Sequence, residues 1–212
     1  MPDLNKLSEA ILKGDAKGAE AITREAIEAK VDPQELVNKY MIPAMDEVGR
    51  KFEADELFVP ELLVTARAMK KALEVVKPLL AATGAKPIGK VVVGTVKGDL
   101  HDIGKNLVAS MLEGAGFEVI DLGVDVGPEK FIAAVKEHSP NIVALSALLT
   151  TTMPSMKTTI EQLSAAGLRD KVKIIIGGAP VTQDYANEIG ADGYSENANG
   201  AVGLARQIVN AA

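Results

Sequence analysis

Apolar positions recur at helical spacing over the first 85 residues and then change to short unbroken runs. Leu4, Leu7, Ile11 and Leu12 mark a first amphipathic helix. Asp15 is the natural cap of a second, over 16–30. Asp32 caps a third, with Pro33 at its first position and Glu35 at its third. That third helix carries Leu36, Tyr40, Met41, Met45, Val48 and Phe52 as one stripe, and Pro43 predicts a kink in it. A fourth starts at Phe58-Val59-Pro60-Glu61 and runs through Met69, Leu73 and Val76 to about Leu80. Four amphipathic helices with short connections predict a bundle over 1–85, its core built from the Met and Leu stripes. The stretch 81–89, rich in Gly, Ala and Pro, reads as a linker.

Beyond the linker the predicted strands are Val91–Thr95, Glu118–Leu122, Ile142–Ser146, Lys173–Ile176 and Gly193–Tyr194, with helical stretches of about ten residues between them. Strands alternating with helices predict a parallel sheet covered on both faces, over 86–212. With the strands in the order 2-1-3-4-5, the first and third strands flank the topological switch point, where ligands bind beyond the carboxyl ends. The first strand leads to Gly98-Asp99-Leu100-His101. The third leads to Ser146 and on to Thr150 and Thr152, and the fourth to Gly177-Gly178. These polar or glycine-rich exits converge on one edge.

Composition narrows the chemistry. A net charge of −6 argues against a nucleic-acid footprint, and 3% aromatic residues without Trp argue against base stacking. No cysteine is present, which excludes disulfides, thiolate metal sites and a cysteine nucleophile, and fits a cytoplasmic protein. The first residues lack the basic-then-apolar pattern of a signal peptide, and no apolar run approaches a membrane span. Of the two histidines, His138 sits in a polar helix end before Pro140 and reads as solvated. Histidine-dependent metal chemistry therefore falls to His101 alone, which suits a cofactor that brings most of its own ligands. Asp99, two residues earlier in an extended loop, points the same way as His101. It can hold one ring nitrogen while the other faces a ligand.

Gly104 is followed by 41 residues and then Ser146-Ala147-Leu148, and Leu148 by 28 residues and then Gly177-Gly178. This D-x-H-x-x-G, S-x-L, G-G pattern resembles the cobalamin-binding module of cobalamin-dependent methionine synthase and of the corrinoid methyl-carrier proteins. Met45-Asp46-Glu47-Val48-Gly49, Phe52, Phe58-Val59-Pro60-Glu61 and Met69 resemble the helical cap that precedes that module. The resemblance implies an α/β chain: a four-helix cap domain (1–85) followed by a flavodoxin- or Rossmann-like cobalamin-binding domain (86–212). It implies cobalamin or a related corrinoid as cofactor, with His101 as the lower axial ligand of cobalt. Asp99 would steady that ring, and Thr152 would continue the relay where methionine synthase carries serine. Gly98, Asp102 and Gly104 complete the motif loop. Ser146, Leu148, Thr150, Gly177 and Gly178 would line a slot for the displaced nucleotide tail, and Phe52 and Val59 would lie over the cobalt-bound methyl.

The implied function is that of a carrier subunit. It would accept a methyl group on Co(I) from a substrate-specific methyltransferase serving a methylamine, methanol, a betaine or an aryl methyl ether. It would hand that group from methyl-Co(III) to a second methyltransferase acting on tetrahydrofolate or a thiol. A reductive activator of the corrinoid would be a third partner; nucleic acid and membrane would not be partners. Alternative readings are a cobalamin-dependent regulator, an adenosylcobalamin mutase subunit, and a flavodoxin-like module without a corrinoid.

Overall fold

The computed structural model describes residues 3–83 and 86–211. They group into two compact units, one of Met1–Pro87 with Glu113–Gly116, the other of Ile88–Leu112 with Phe117–Ala212.

The first unit is helical: α1 (Asn5–Leu12), α2 (Ala16–Glu28), α3 (Pro33–Leu36), α4 (Ile42–Glu53) and α5 (Val59–Thr83). Asp15 and Asp32 accept from the backbone N–H of Gly18 and Gln34, so each caps the helix that follows it. Leu7, Ile11, Leu36, Met41, Met45, Leu62 and Met69 are fully buried, whereas Tyr40 and Phe52 are only half-buried. The third helix expected from the pattern is not a single kinked rod. A π-helical turn, Val37–Met41, joins α3 to α4, and Ile42 N–H reaches back five residues to the Val37 carbonyl. The cause is Pro43, which has no N–H for the Lys39 carbonyl and whose ring crowds that carbonyl. Tyr40 O accepts from the Ser8 hydroxyl at 2.9 Å. The last helix runs three residues past the expected Leu80, so Ala81–Thr83 belong to it. Gly84 and Ala85, the middle of the expected linker, lie outside the described residues.

The second unit is a five-stranded parallel sheet in the order β2-β1-β3-β4-β5, built from β1 (Lys90–Thr95), β2 (Glu118–Asp121), β3 (Ile142–Ser146), β4 (Lys173–Gly177) and β5 (Gly193–Tyr194). Between them lie α6 (Ile103–Gly114), α7 (Pro128–His138), α8 (Pro154–Ala165) and α9 (Gln183–Ile189), and α10 (Ala198–Asn210) follows β5. The period of two along each strand divides the apolar residues between two faces. Val92, Val143, Leu145, Ile174 and Ile176 enter a core with Phe131 of α7, Met156 and Leu163 of α8, and Ile189 of α9. The alternate residues Val91, Val93, Ile142, Ala144 and Ile175 are buried as well, as a doubly covered sheet requires. Among the described residues no helix is long and apolar enough to cross a membrane.

Register aligns Thr95, Ser146 and Gly177 across β1, β3 and β4, so three chain exits leave the sheet side by side. The exits from β3 and β4 press together: a Cβ added to Gly178 would lie 1.8 Å from the Ala147 carbonyl oxygen, and Gly178 has φ +133°. No L side chain fits there. Gly178→Ala is expected to destabilise the cofactor-free protein by at least about 2 kcal/mol through backbone strain and overpacking. Gly104→Ala, at a helical position with nothing within 4 Å, is expected to cost nothing and to stabilise by up to about 1 kcal/mol. Thermal denaturation of the two variants side by side checks the contrast; equal loss in both would contradict it.

Candidate functional site

The exit of β1 is a tight turn. Asp99 N–H donates to the Val96 carbonyl at 3.1 Å, and Gly98 at the third position takes φ +85°, a conformation open to glycine. Thr95, buried at the end of the strand, donates its hydroxyl to the His101 carbonyl at 2.9 Å. The turn delivers Asp99 inward and His101 outward. The Asp99 side chain is 0% exposed and that of His101 is 50% exposed.

A fully buried carboxylate persists only when its oxygens are matched by donors. Asp99 meets four. Oδ1 accepts from His101 backbone N–H at 3.0 Å and lies 2.7 Å from His101 Nδ1. Oδ2 accepts from Leu148 N–H at 2.7 Å and from the Thr152 hydroxyl at 2.6 Å. Burial pushes this carboxyl up, but the bonds from the Thr152 hydroxyl, from the backbone of His101 and Leu148 and from the His101 ring outweigh it. They hold it well below the usual carboxylate range. An ionised carboxylate only accepts, so in the neutral imidazole Nδ1 carries the proton and Nε2 keeps its lone pair. The arrangement offers one half-exposed nitrogen donor on a ring fixed from behind.

The remaining motif residues take distinct places. Asp102 is exposed and accepts from the Asn106 side chain at 3.0 Å, inside the first turn of α6 rather than toward His101. Gly104 is open to solvent. Ser146 and Gly177 are half-buried neighbours across β3 and β4, and Gly178 is locked against Ala147. Leu148 and Thr150 are exposed. Leu100, Ile103, Leu148 and Leu149, which belong to the exits from β1 and β3, are large apolar side chains 43–71% exposed. In the helical unit Phe52 closes α4 half-buried, and Val59 opens α5 at 40% exposure beside exposed Phe58, Leu63 and Val64.

Several contributions are not announced by the motif. Leu148 stands in the S-x-L pattern, but what it gives Asp99 is a backbone N–H, which no side-chain pattern announces. Thr95 is the polar end of an otherwise apolar strand, a visible signal read only as strand. Lys105, buried, donates to Asp121 at the end of β2 and to the Asn106 side chain, tying α6 to β2. Asp125 meets the β1 exit from the side: its N–H donates to the Asp99 carbonyl at 2.9 Å and its Oδ1 accepts from Gly98 N–H at 2.7 Å.

An imidazole donor among exposed apolar side chains fits a large apolar metal macrocycle that lacks one ligand. Comparison with known proteins agrees. The family described as B12 binding domain matches residues 89–203, and a second family of that description matches 3–77. The trimethylamine corrinoid protein of Methanosarcina barkeri is 48% identical over 207 residues, covering 97% of this chain and 95% of that one. A cobalamin-binding protein from Desulfitobacterium hafniense has a crystal structure that matches with TM-score 0.78 at 37% identity, covering 98% of this chain and 99% of the other. A chain of the methanol:cobalamin methyltransferase complex from Methanosarcina barkeri matches with TM-score 0.88 at 33% identity, covering 99% and 81%.

Thr152→Val keeps the volume and removes one donor from Asp99. Because the folded carboxyl is held below its unfolded value of about 3.9, its contribution is whole above that pH and is lost as pH falls through the folded value. The variant is expected to lose about 1–3 kcal/mol at neutral pH. The gap to the wild type should close as pH drops below about 4. Denaturant unfolding of the cofactor-free protein across that pH range checks this; parallel curves would show that the hydroxyl is not coupled to an ionised Asp99.

Proposed function

The chain belongs to the B12-binding domain family through both of its halves, and we propose on that premise that it is the corrinoid-bearing methyl carrier between two methyltransferases. The observation that carries the proposal is the His101 ring, held at Nδ1 by a buried carboxylate and open at Nε2. When bound, the corrinoid supplies the cobalt that carries a methyl group. The chain's own residues would hold it, with His101 Nε2 as the protein's donor to the cobalt in place of the cofactor's own base. Asp99 fixes the ring's tautomer and strengthens its donor character by accepting the Nδ1 proton. Thr152 holds Asp99 from the other oxygen.

The nucleotide tail is assigned to the β3 and β4 exits, with Ser146, Leu148, Thr150, Gly177 and Gly178 along it. Gly98, Asp102 and Gly104 shape the loop that presents His101. Leu100, Ile103 and Leu149 give the corrin an apolar surface. Phe52 and Val59 are assigned to the apolar cover of the methyl group, which keeps water from the reactive metal. The methyl donor proposed is a methylamine. The relative whose name specifies trimethylamine is 48% identical, and the matching chain of the methanol complex 33%. A methylamine-specific methyltransferase, an acceptor methyltransferase and a reductive activator are the corresponding partners.

The test is reconstitution with methylcobalamin, removal of free cofactor, and an absorption spectrum. The wild type is expected to retain the chromophore with the nucleotide base displaced and an imidazole on cobalt. His101→Ala should lose the imidazole-ligated signature while keeping its circular dichroism. An unchanged spectrum in the variant, or no retained corrinoid in the wild type, would overturn the assignment. Methyl-transfer assays with methylamine- and methanol-specific methyltransferases then separate the donors.

A further inference from the structure

The ladder between β1 and β2 does not end where the strands do. Thr95 N–H donates to the Gly123 carbonyl at 3.0 Å, and the Thr95 carbonyl accepts from Val126 N–H at 2.9 Å. Gly123 and Val126 are three positions apart, one more than a regular parallel ladder has between the two partners of a single residue. From the Val93–Asp121 pair to the Val96–Val126 bridge β1 advances three residues and the second strand's path five, so that path carries two extra residues, a bulge, before pairing resumes. Asp125 occupies the bulge with φ +51°, in the left-handed region that Asp and Asn tolerate better than other side-chain-bearing residues.

The bulge aims Asp125 at the turn that bears Asp99. Its N–H and its carboxylate grip that turn at two points, the Asp99 carbonyl and the Gly98 N–H. Those two groups flank the Asp99 Cα, so the clamp fixes the backbone from which the buried carboxylate projects. The His101 ring is then oriented by a chain of three contacts: Asp125 to the turn, the turn to the Asp99 carboxylate, and Asp99 to Nδ1.

We propose that Asp125 is a positioning residue for the axial histidine, acting through the backbone of Asp99 without touching His101. This rests on the assignment of His101 as the cobalt ligand. The bulge conformation alone is not sufficient; the accepting side-chain oxygen is what ties the loop after β2 to the turn after β1. Asn supplies an equivalent oxygen and tolerates the same φ. Gly keeps the φ and lacks the oxygen, and Ala lacks both.

The test uses the full chain loaded with methylcobalamin, wild type against Asp125→Asn, Asp125→Gly and Asp125→Ala. Two readouts are taken: the ratio of imidazole-ligated to unligated cobalt from the absorption spectrum, and amide hydrogen exchange at Gly98 in the cofactor-free protein. Asp125→Gly and Asp125→Ala are expected to lower the ligated ratio and to speed exchange at Gly98, each roughly fivefold, the worth of one net hydrogen bond. Asp125→Asn should stay within about twofold of the wild type on both readouts. A wild-type ratio in Asp125→Ala or in Asp125→Gly would overturn the proposal, as would an Asp125→Asn variant as impaired as Asp125→Ala. A wild type with no imidazole-ligated cobalt would instead overturn the assignment of His101, and the spectrum of the wild type alone separates the two failures.

Discussion

A carboxylate without solvent contact is costly to keep, and Asp99 is kept by four donors drawn from two separate chain exits. Two come from its own turn and two from the segment after β3. The same bonds therefore do two things. They join the loops after β1 and β3 across the switch point, and they hold the imidazole from behind. A chain that satisfied the carboxylate otherwise would free the ring; one that freed the ring would lose a donor from a buried charge. Structure and ligand presentation share their atoms here, which makes the site expensive to alter piecemeal.

The convergence of loops imposes backbone conditions that side chains alone do not meet. Gly98 provides the positive φ of the turn, and Gly178 lets the β4 exit pass against Ala147. Both take a positive φ, and Gly178 has the close approach to Ala147 as a second reason for being glycine. Gly104, the glycine of D-x-H-x-x-G, has neither reason: its φ is helical and its surroundings are open. Within the cofactor-free chain its small size has no packing cause, which fits a position kept clear for a ligand.

Much of this was legible in the sequence. Short apolar runs bounded by turns located all five strands, because a sheet buried on both faces leaves little room for polar residues. The βα alternation pointed to a parallel sheet, and 2-1-3-4-5, the common order expected for it, is the order the strands take. Asp99 and His101 were readable as a pair from their spacing, but not in their expected common direction: Asp99 turns inward and His101 outward, and they meet through Nδ1. Thr152 was placed by resemblance, 53 residues from the carboxylate it meets. What escaped had physical reasons. A backbone N–H such as that of Leu148 has no residue-type signal. The π turn ahead of Pro43 is one of two responses a helix can make to a missing donor, and the pattern pointed to the other, a kink. Asp125 depends on a bulge, and a two-residue insertion in a ladder is invisible until both strands are placed.

The chemistry of the exposed surface completes the account. A lone imidazole is a poor metal site by itself, since a protein normally assembles three or four ligands around an ion. It is sufficient where the ion arrives in a macrocycle with its equatorial positions filled. Such a ligand is broad and apolar, and the exposed Leu100, Ile103, Leu148 and Leu149 would otherwise be a liability on a water-facing edge. The exposed apolar side chains and the single donor thus call for the same partner from opposite directions, one from hydration and one from coordination. That agreement ties the B12-binding assignment to the residues of this chain as well as to its relatives.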